Sequence, residues 1–204
     1  MSGKAGSRTR LDPEVRREQI LDAAERVFVS RDPAEVTFEE LAQAAGVSRA
    51  LVYNYFGDKG GLVAAVYLRS LGRLNAALDH TVDPTAGYDV RLQAAVRGYL
   101  AFAVDGDDWR VMGVTAGFDH PDVRRVRRQR FDDLARRWGD TTPARILARG
   151  MIHFLEGATA AWIDAGAGDL DEVAEMVYRT LWYGMSSMAP PSTARQQYQA
   201  ATLR

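Results

Sequence analysis

Helix starts and stops recur all along this 204-residue chain and leave almost no room for strands. Asp12-Pro13-Glu14 combines an N-cap, a proline at the first helical position and an acid near the positive end of the helix dipole. Ile20, Ala23, Ala24, Val27 and Phe28 follow at helical spacing, which predicts a helix over about Pro13–Ser30, broken by Arg31-Asp32-Pro33. Thr37 to Glu40 has the form of a capping box, with Thr37 as the cap and Glu40 reaching back. The short second helix ends before Gly46, Ser48 caps a third through about Tyr55, and Gly57-Asp58 opens a fourth. Further helices are predicted over Thr85–Val104, from Asp107 or Asp108 to Gly117, over Pro121–Trp138, from Thr142-Pro143 to Gly166, and from Asp169 to about Met188. Alternating β-branched runs and Asn-Gly hairpin signals are missing. The predicted fold class is all-α, with a small three-helix N-terminal unit and a larger helical remainder.

Composition removes several function classes. There is no cysteine, which excludes disulfide scaffolds, thiol nucleophiles, iron–sulfur clusters and cysteine zinc sites. Lysine plus arginine number 26 and aspartate plus glutamate 27, so the chain is no bulk polycation coating nucleic acid. No apolar run approaches the length of about 18 residues that spans a membrane. The start MSGKAGSRTR lacks an apolar signal core, so a cytoplasmic protein with no membrane partner is expected. His80, His120 and His153 are scattered without metal-ligand spacing, no glycine-rich phosphate loop is present, and neither a metal nor a cofactor is expected.

The segment Phe38–Phe56 has the anatomy of a helix-turn-helix. Two short helices flank Ala45-Gly46-Val47, where Gly46 suits a positive φ and the small Ala42 lets the second helix approach. Leu41, Ala45, Val47, Val52 and Tyr55 are expected in a core shared with helix one. The outer face of the third helix then carries Ser48, Arg49, Ala50, Tyr53 and Asn54, whose polar members can reach base edges and phosphates. A plain helical hairpin with a glycine turn is the simpler alternative, and it leaves the coincidence of small residue, glycine, apolar positions and serine cap unaccounted for.

The run Arg17 to Ala24 through Phe28, then Thr37, Leu41-Ala42, Ala45 to Ser48, Tyr53 to Phe56, and Lys59 with Leu62, resembles the tetracycline-repressor (TetR) family of transcriptional regulators. The motif covers about a quarter of the chain. The resemblance implies a homodimer that presents two third helices to a palindromic double-stranded operator, and a C-terminal domain that binds a small-molecule effector. It implies repression, and it implies that the chain is not an enzyme. It also implies that Thr37 caps and touches phosphate, that Ser48, Arg49 and Ala50 form the leading turn of the reading helix, that Tyr53 contacts phosphate beside Asn54, and that Lys59 reaches the DNA backbone. Arg49 is the expected guanine reader, in a bidentate contact worth about 1–3 kcal/mol.

Two departures from the family pattern stand out. Asp32-Pro33 replaces the usual glycine and apolar residue after helix one, and aspartate tolerates the left-handed conformation that such a turn uses. Gly60-Gly61 follows Lys59 where good helix formers are the rule, and each glycine costs about 1 kcal/mol in a helix interior, so a soft first turn is expected. Residues 1–57 hold eight basic and nine acidic side chains. Their one clean basic patch is Lys4, Arg8 and Arg10, read either as an arm along DNA or as a solubilising end.

Downstream, Tyr88, Tyr99, Phe102, Trp109, Met112, Phe118, Phe131, Trp138, Phe154 and Trp162 supply mostly core, and some line an effector site. On the arginine-rich helix, Arg124, Arg125, Arg128 and Arg136 point away from the apolar arc of Val123, Val126, Phe131, Leu134 and Trp138, while Arg127, Arg130 and Arg137 flank it. Those three either snorkel or pair with acids, or Arg127 or Arg130 selects an anionic effector. The candidate effector residues are Phe102, Trp109, Met112, Phe118, Arg127, Arg130, Phe154 and Trp162. Small residues at Gly150, Gly157, Ala158, Ala161 and Ala165, with Val173, Val177, Leu181, Gly184, Met185 and Met188 on the last helix, fit a four-helix dimer bundle. The expected division is a DNA-binding unit over 1–57, an effector and dimerisation unit over 58–188, and a loose tail over 189–204. The rival functions are an architectural DNA-binding module without effector, and an all-helical enzyme with a structural N-terminal unit, for which no nucleophile or acid–base pair can be assembled.

Overall fold

The computed structural model describes residues 12–186 apart from 138; the basic patch at Lys4, Arg8 and Arg10, Trp138, Met188 and the tail over 189–204 lie outside them. The described residues form helices and connecting turns, with no strand among them. In chain order the helices are α1 (Pro13–Phe28), α2 (Phe38–Ala44), α3 (Arg49–Phe56), α4 (Lys59–Thr81), α5 (Tyr88–Val104), α6 (Asp108–Ala116), α7 (Pro121–Arg136), α8 (Thr142–Asp164) and α9 (Leu170–Ser186).

The helix starts follow the chemistry that the sequence announces. Asp12 accepts from the Glu14 amide at 2.8 Å, Thr37 and Glu40 form a reciprocal capping box, Ser48 accepts from the Leu51 amide, and Thr141 accepts from the Ala144 amide ahead of Pro143. α5 starts at Tyr88, three residues later than Thr85, because Asp83 takes both the amide and the hydroxyl of Thr85 and holds that stretch in a turn. Asp32 is not left-handed as the α1–α2 connection was expected to require. Its carboxylate accepts from the Ala34 amide at 2.7 Å and Pro33 is buried, so the connection turns on aspartate's hydrogen bond rather than on its backbone tolerance.

The chain divides into two compact units. The first gathers the described residues through Ser70 together with Arg110–Val126. Its core joins Ile20, Leu21, Ala23, Ala24 and Phe28 of α1 to Leu41, Ala42, Ala45 and Val52 of the next two helices, and to Leu62, Val63 and Val66 of α4. Val111 and Val123 complete it, with Val47 and Tyr55 packed against its edge. The second unit gathers Leu71–Trp109 and the described residues from Arg127 onward. Its core is a contact of α5 with α9 and α8, through Leu92, Val96, Leu100, Trp162, Ala174, Val177 and Leu181. A small alanine contact, Ala135 with Ala144 and Ala148, joins α7 to α8.

Candidate nucleic-acid interface

α2 and α3 are joined by a turn that closes the first helix and aims the second. Gly46 has φ +66°, the Gly46 amide donates to Gln43 O and the Val47 amide to Ala42 O, a paired closure that needs a left-handed residue at the glycine. Gln19 of α1 donates its amide to the Ala45 carbonyl at 3.0 Å, satisfying a turn group and tying the turn to α1. Val52 faces inward with no exposure. With that side of α3 committed to the core, Ser48, Arg49, Ala50, Tyr53 and Asn54 all come out exposed, Tyr53 by 61%.

These groups are chemically unequal. Ser48 uses its oxygen to accept from the Leu51 amide, which leaves its hydroxyl proton to donate. Arg49 lies 3.4 Å from Glu39 Oε2 with both side chains mostly exposed, a contact weak enough to give way to a base or phosphate. Thr37 is exposed, but its hydroxyl donates to Glu40 at 2.7 Å and accepts from the Glu40 amide at 3.1 Å, so both its roles are taken. Arg31 binds the other oxygen of Glu40 at 2.8 Å. The Arg31 hydrogen bond first, and those from the Thr37 amide and hydroxyl next, hold the Glu40 carboxyl down at about 2 against an ordinary 4.5.

Lys59 is not free in solvent. Its ammonium donates to Val36 O at 2.8 Å and to Ala34 O at 3.3 Å, and stands 5.2 Å from the centroid of the Phe118 ring. The two glycines behind it have steric reasons. A methyl on Gly60 would overlap the ring of His120, and one on Gly61 would overlap the Phe56 carbonyl oxygen. The first turn of α4 is tied further by Asp58, which accepts from the Gly61 amide at 2.8 Å.

α4 is also latched to α1. Arg69 donates to Glu25 through Nε at 2.6 Å, and through Nη1 to Glu18 and Asp22 at 2.8 Å each. Burial opposes the charge on Arg69, but the hydrogen bonds to Glu25, Glu18 and Asp22 outweigh it and keep the guanidinium above arginine's ordinary range. The sequence carries no signal for the roles of Gln19, Glu39 or Arg69, and it shows His120 only as one of three scattered histidines. Glu18, Asp22 and Glu25 at spacings of four and three on one face of α1 are a visible signal, but their partner is 44 residues or more away.

The effector candidates are divided between the two units. Met112 is buried and Phe118 half-buried, and both belong to the first unit, where Phe118 packs against the core. Phe102, Trp109, Arg127, Arg130, Phe154 and Trp162 belong to the second. Phe102 and Arg127 are half-buried. Trp109 meets Tyr99 edge-on at 5.3 Å. Trp162 is buried in the α5–α8–α9 core with its Nε1 lacking a hydrogen-bond partner among the described residues. Arg130, with 13% of its side chain exposed, is bound to Glu156 of α8 at 2.7 Å. Phe154 is 40% exposed on a face of α8 shared with exposed Ile146, Gly150, Gly157 and Ala161. No helix of the described residues is long and apolar enough to cross a membrane.

Residues 20–66 match the model of the "Bacterial regulatory proteins, tetR family". Over 161 residues the chain is 32% identical to the HTH-type transcriptional regulator BetI of Stenotrophomonas maltophilia, covering 70% of this chain and 79% of that protein. The chain belongs to the tetR family. It is a DNA-binding transcriptional regulator of that type. The HTH-type transcriptional activator FasR of Mycolicibacterium smegmatis is 28% identical over 188 residues, spanning 87% of this chain and 86% of its own. A crystal structure of a TetR-like transcriptional regulator from Rhodococcus sp. RHA1 superposes with a TM-score of 0.62 at 26% identity, over 87% of this chain and 99% of that one. The tetR-family match runs from the middle of α1 to the first third of α4, the stretch that forms most of the first unit's core.

Proposed function

We propose that the chain works as a homodimer that represses transcription by holding a palindromic operator and releases it when a small molecule binds the second unit. The observation that carries this reading is the outer face of α3. Ser48, Arg49, Ala50, Tyr53 and Asn54 are exposed together on a helix whose other side is locked into the core. Arg49 reads a base edge, Tyr53 and Ser48 take phosphates, Asn54 reads or bridges, and Ala50 allows close approach. Thr37 contributes a phosphate contact only by giving up its hydrogen bond to Glu40, whereas Lys59, with two of its three N–H donors on carbonyls, has one left for a phosphate.

One reading helix covers too few base pairs to select a site in a genome, so two must act together. The exposed stripe Ile146, Gly150, Phe154, Gly157 and Ala161 on α8, with Met176 and Tyr183 exposed on α9, supports a second copy of this chain as the occupant of that face. This stripe draws Phe154 away from the effector set. The effector reading rests on the second unit's Phe102, Trp109, Arg127, Arg130 and Trp162. The partnerless Trp162 Nε1 is a donor available to an acceptor atom of the ligand. An anionic effector at Arg130 must compete with Glu156. Release requires the effector to favour the state with weaker DNA affinity, and the coupling is reciprocal.

Gel-shift titration of the DNA upstream of the chain's own gene tests the reading. Binding should be abolished or much weakened by Arg49→Ala and Tyr53→Ala, and a transcriptional reporter of that promoter should rise when the gene is deleted. A reporter that falls instead makes the chain an activator.

A further inference from the structure

The corner between α6 and α7 belongs to the first unit, and it carries a cluster for which DNA reading has no direct use. His120 caps α7, its carbonyl accepting from the Arg124 amide and its Nδ1 from the Asp122 amide at 3.3 Å. Its ring stacks on Phe118 at 6.4 Å between centroids and 25° between planes. The ring also covers Gly60 so closely that a methyl there would overlap it. Nε2 stands 3.6 Å from Asp58 Oδ2, and Asp58 is the carboxylate that caps the glycine-rich first turn. Phe118 in turn backs the Lys59 ammonium, which reaches the carbonyls of Ala34 and Val36, immediately before the Thr37 cap of α2.

We infer that this corner is a clasp on the reading head, with His120 as a positioning residue that holds the first turn of α4 through Gly60 and, through Phe118 and Lys59, the start of α2. Two glycines make that turn intrinsically weak. The ring of His120 occupies the volume that an alanine side chain would fill, so the glycine is the condition for the clasp. Lys59 is then an internal strut between α4 and the approach to α2. The inference rests on the first unit reading DNA.

The test uses the full chain and an operator selected from random DNA, with affinity and thermal midpoint measured for wild type, Gly60→Ala, His120→Ala, the double variant and His120→Phe. Each alanine variant should lose about tenfold in operator affinity, and the double variant no more than either single, because the two changes break one contact. His120→Phe keeps the ring and should stay within a few-fold of wild type. Should Gly60→Ala fail to fold alone yet fold with His120→Ala, that rescue reads the same coupling. Lys59→Met should weaken binding while leaving the slope of log affinity against log salt unchanged; a slope shallower by about 2, roughly one phosphate for each subunit of the dimer, means a phosphate contact and overturns the purely internal strut. Additive losses, wild-type affinity in both alanine variants, or equal losses in His120→Phe and His120→Ala overturn the clasp with the DNA-reading function intact. A wild-type chain that selects no sequence overturns that function, and the clasp's role falls with it.

Discussion

Residues that read DNA must be reachable, and residues that shape the reader must be held. Arg49 and Lys59 fall on opposite sides of that line. Arg49 has one weak, exposed acidic neighbour, whereas Lys59 has two carbonyls and a ring. Arg49→Ala should therefore cost about 1–3 kcal/mol of operator affinity at each of the two half-sites with an unchanged thermal midpoint, read by fluorescence anisotropy alongside a melting curve. Glu40 gives a prediction in pH. Its carboxyl is held at about 2 in the fold against 4.5 ordinarily, so its contribution is fully present above about pH 4.5 and disappears as pH falls toward 2. Acid titration of the thermal midpoint should show a loss across that interval that Glu40→Gln diminishes, and an identical acid profile for the two chains would contradict the assignment. Thr37, Ser48, Gly46 and the α3 face were legible from the sequence because their partners lie within a few positions. His120 on Gly60, Glu156 on Arg130 and Gln19 on the Ala45 carbonyl were not, because their partners are 60, 26 and 26 positions away and no periodicity marks them.

Among elements, α4 does most to hold the reading head. Its first turn is tied to the approach to α2 by Lys59, and its third is latched to α1 by a single arginine shared among three carboxylates. The Arg69 side chain is only 15% exposed, so removing it strands three acids near one another on α1. Arg69→Met should cost about 2 kcal/mol, between the values typical of buried and exposed pairs. Chemical denaturation followed by circular dichroism would measure it, and a wild-type midpoint would contradict the latch. Whereas the end of α4 at Thr81 has no such signal, the starts of α1 to α4 and of α6 to α9 follow from caps and prolines that the sequence displays. The late start of α5 does not, because Asp83 diverts Thr85 into a local turn that competes with helix at the same residues. The last two helices show a second limit of sequence pattern. On α8 apolar and small residues alternate around the helix, and only packing separates Met151, Ala158 and Trp162, in the core shared with α5 and α9, from Ile146, Gly150 and Phe154, which are exposed.

For the whole molecule, a balanced net charge is compatible with specific DNA reading, because specificity needs a few placed groups repeated by symmetry. The exposed α8 stripe makes the dimer a testable part of the mechanism. Ile146→Glu with Phe154→Glu should convert a dimer to a monomer in light scattering and remove operator binding without unfolding the chain, since neither residue is in a core. A double variant that remains dimeric and DNA-competent would move the interface elsewhere. The central claim, that paired α3 helices read a specific site, is tested most directly by selecting binding sequences from random double-stranded DNA with the wild-type chain and with Arg49→Ala in parallel. The account predicts an inverted repeat for wild type, and weaker, relaxed preference at one symmetric pair of positions for the variant. No enriched sequence, a single unrepeated site, or the same preference from both chains would contradict it.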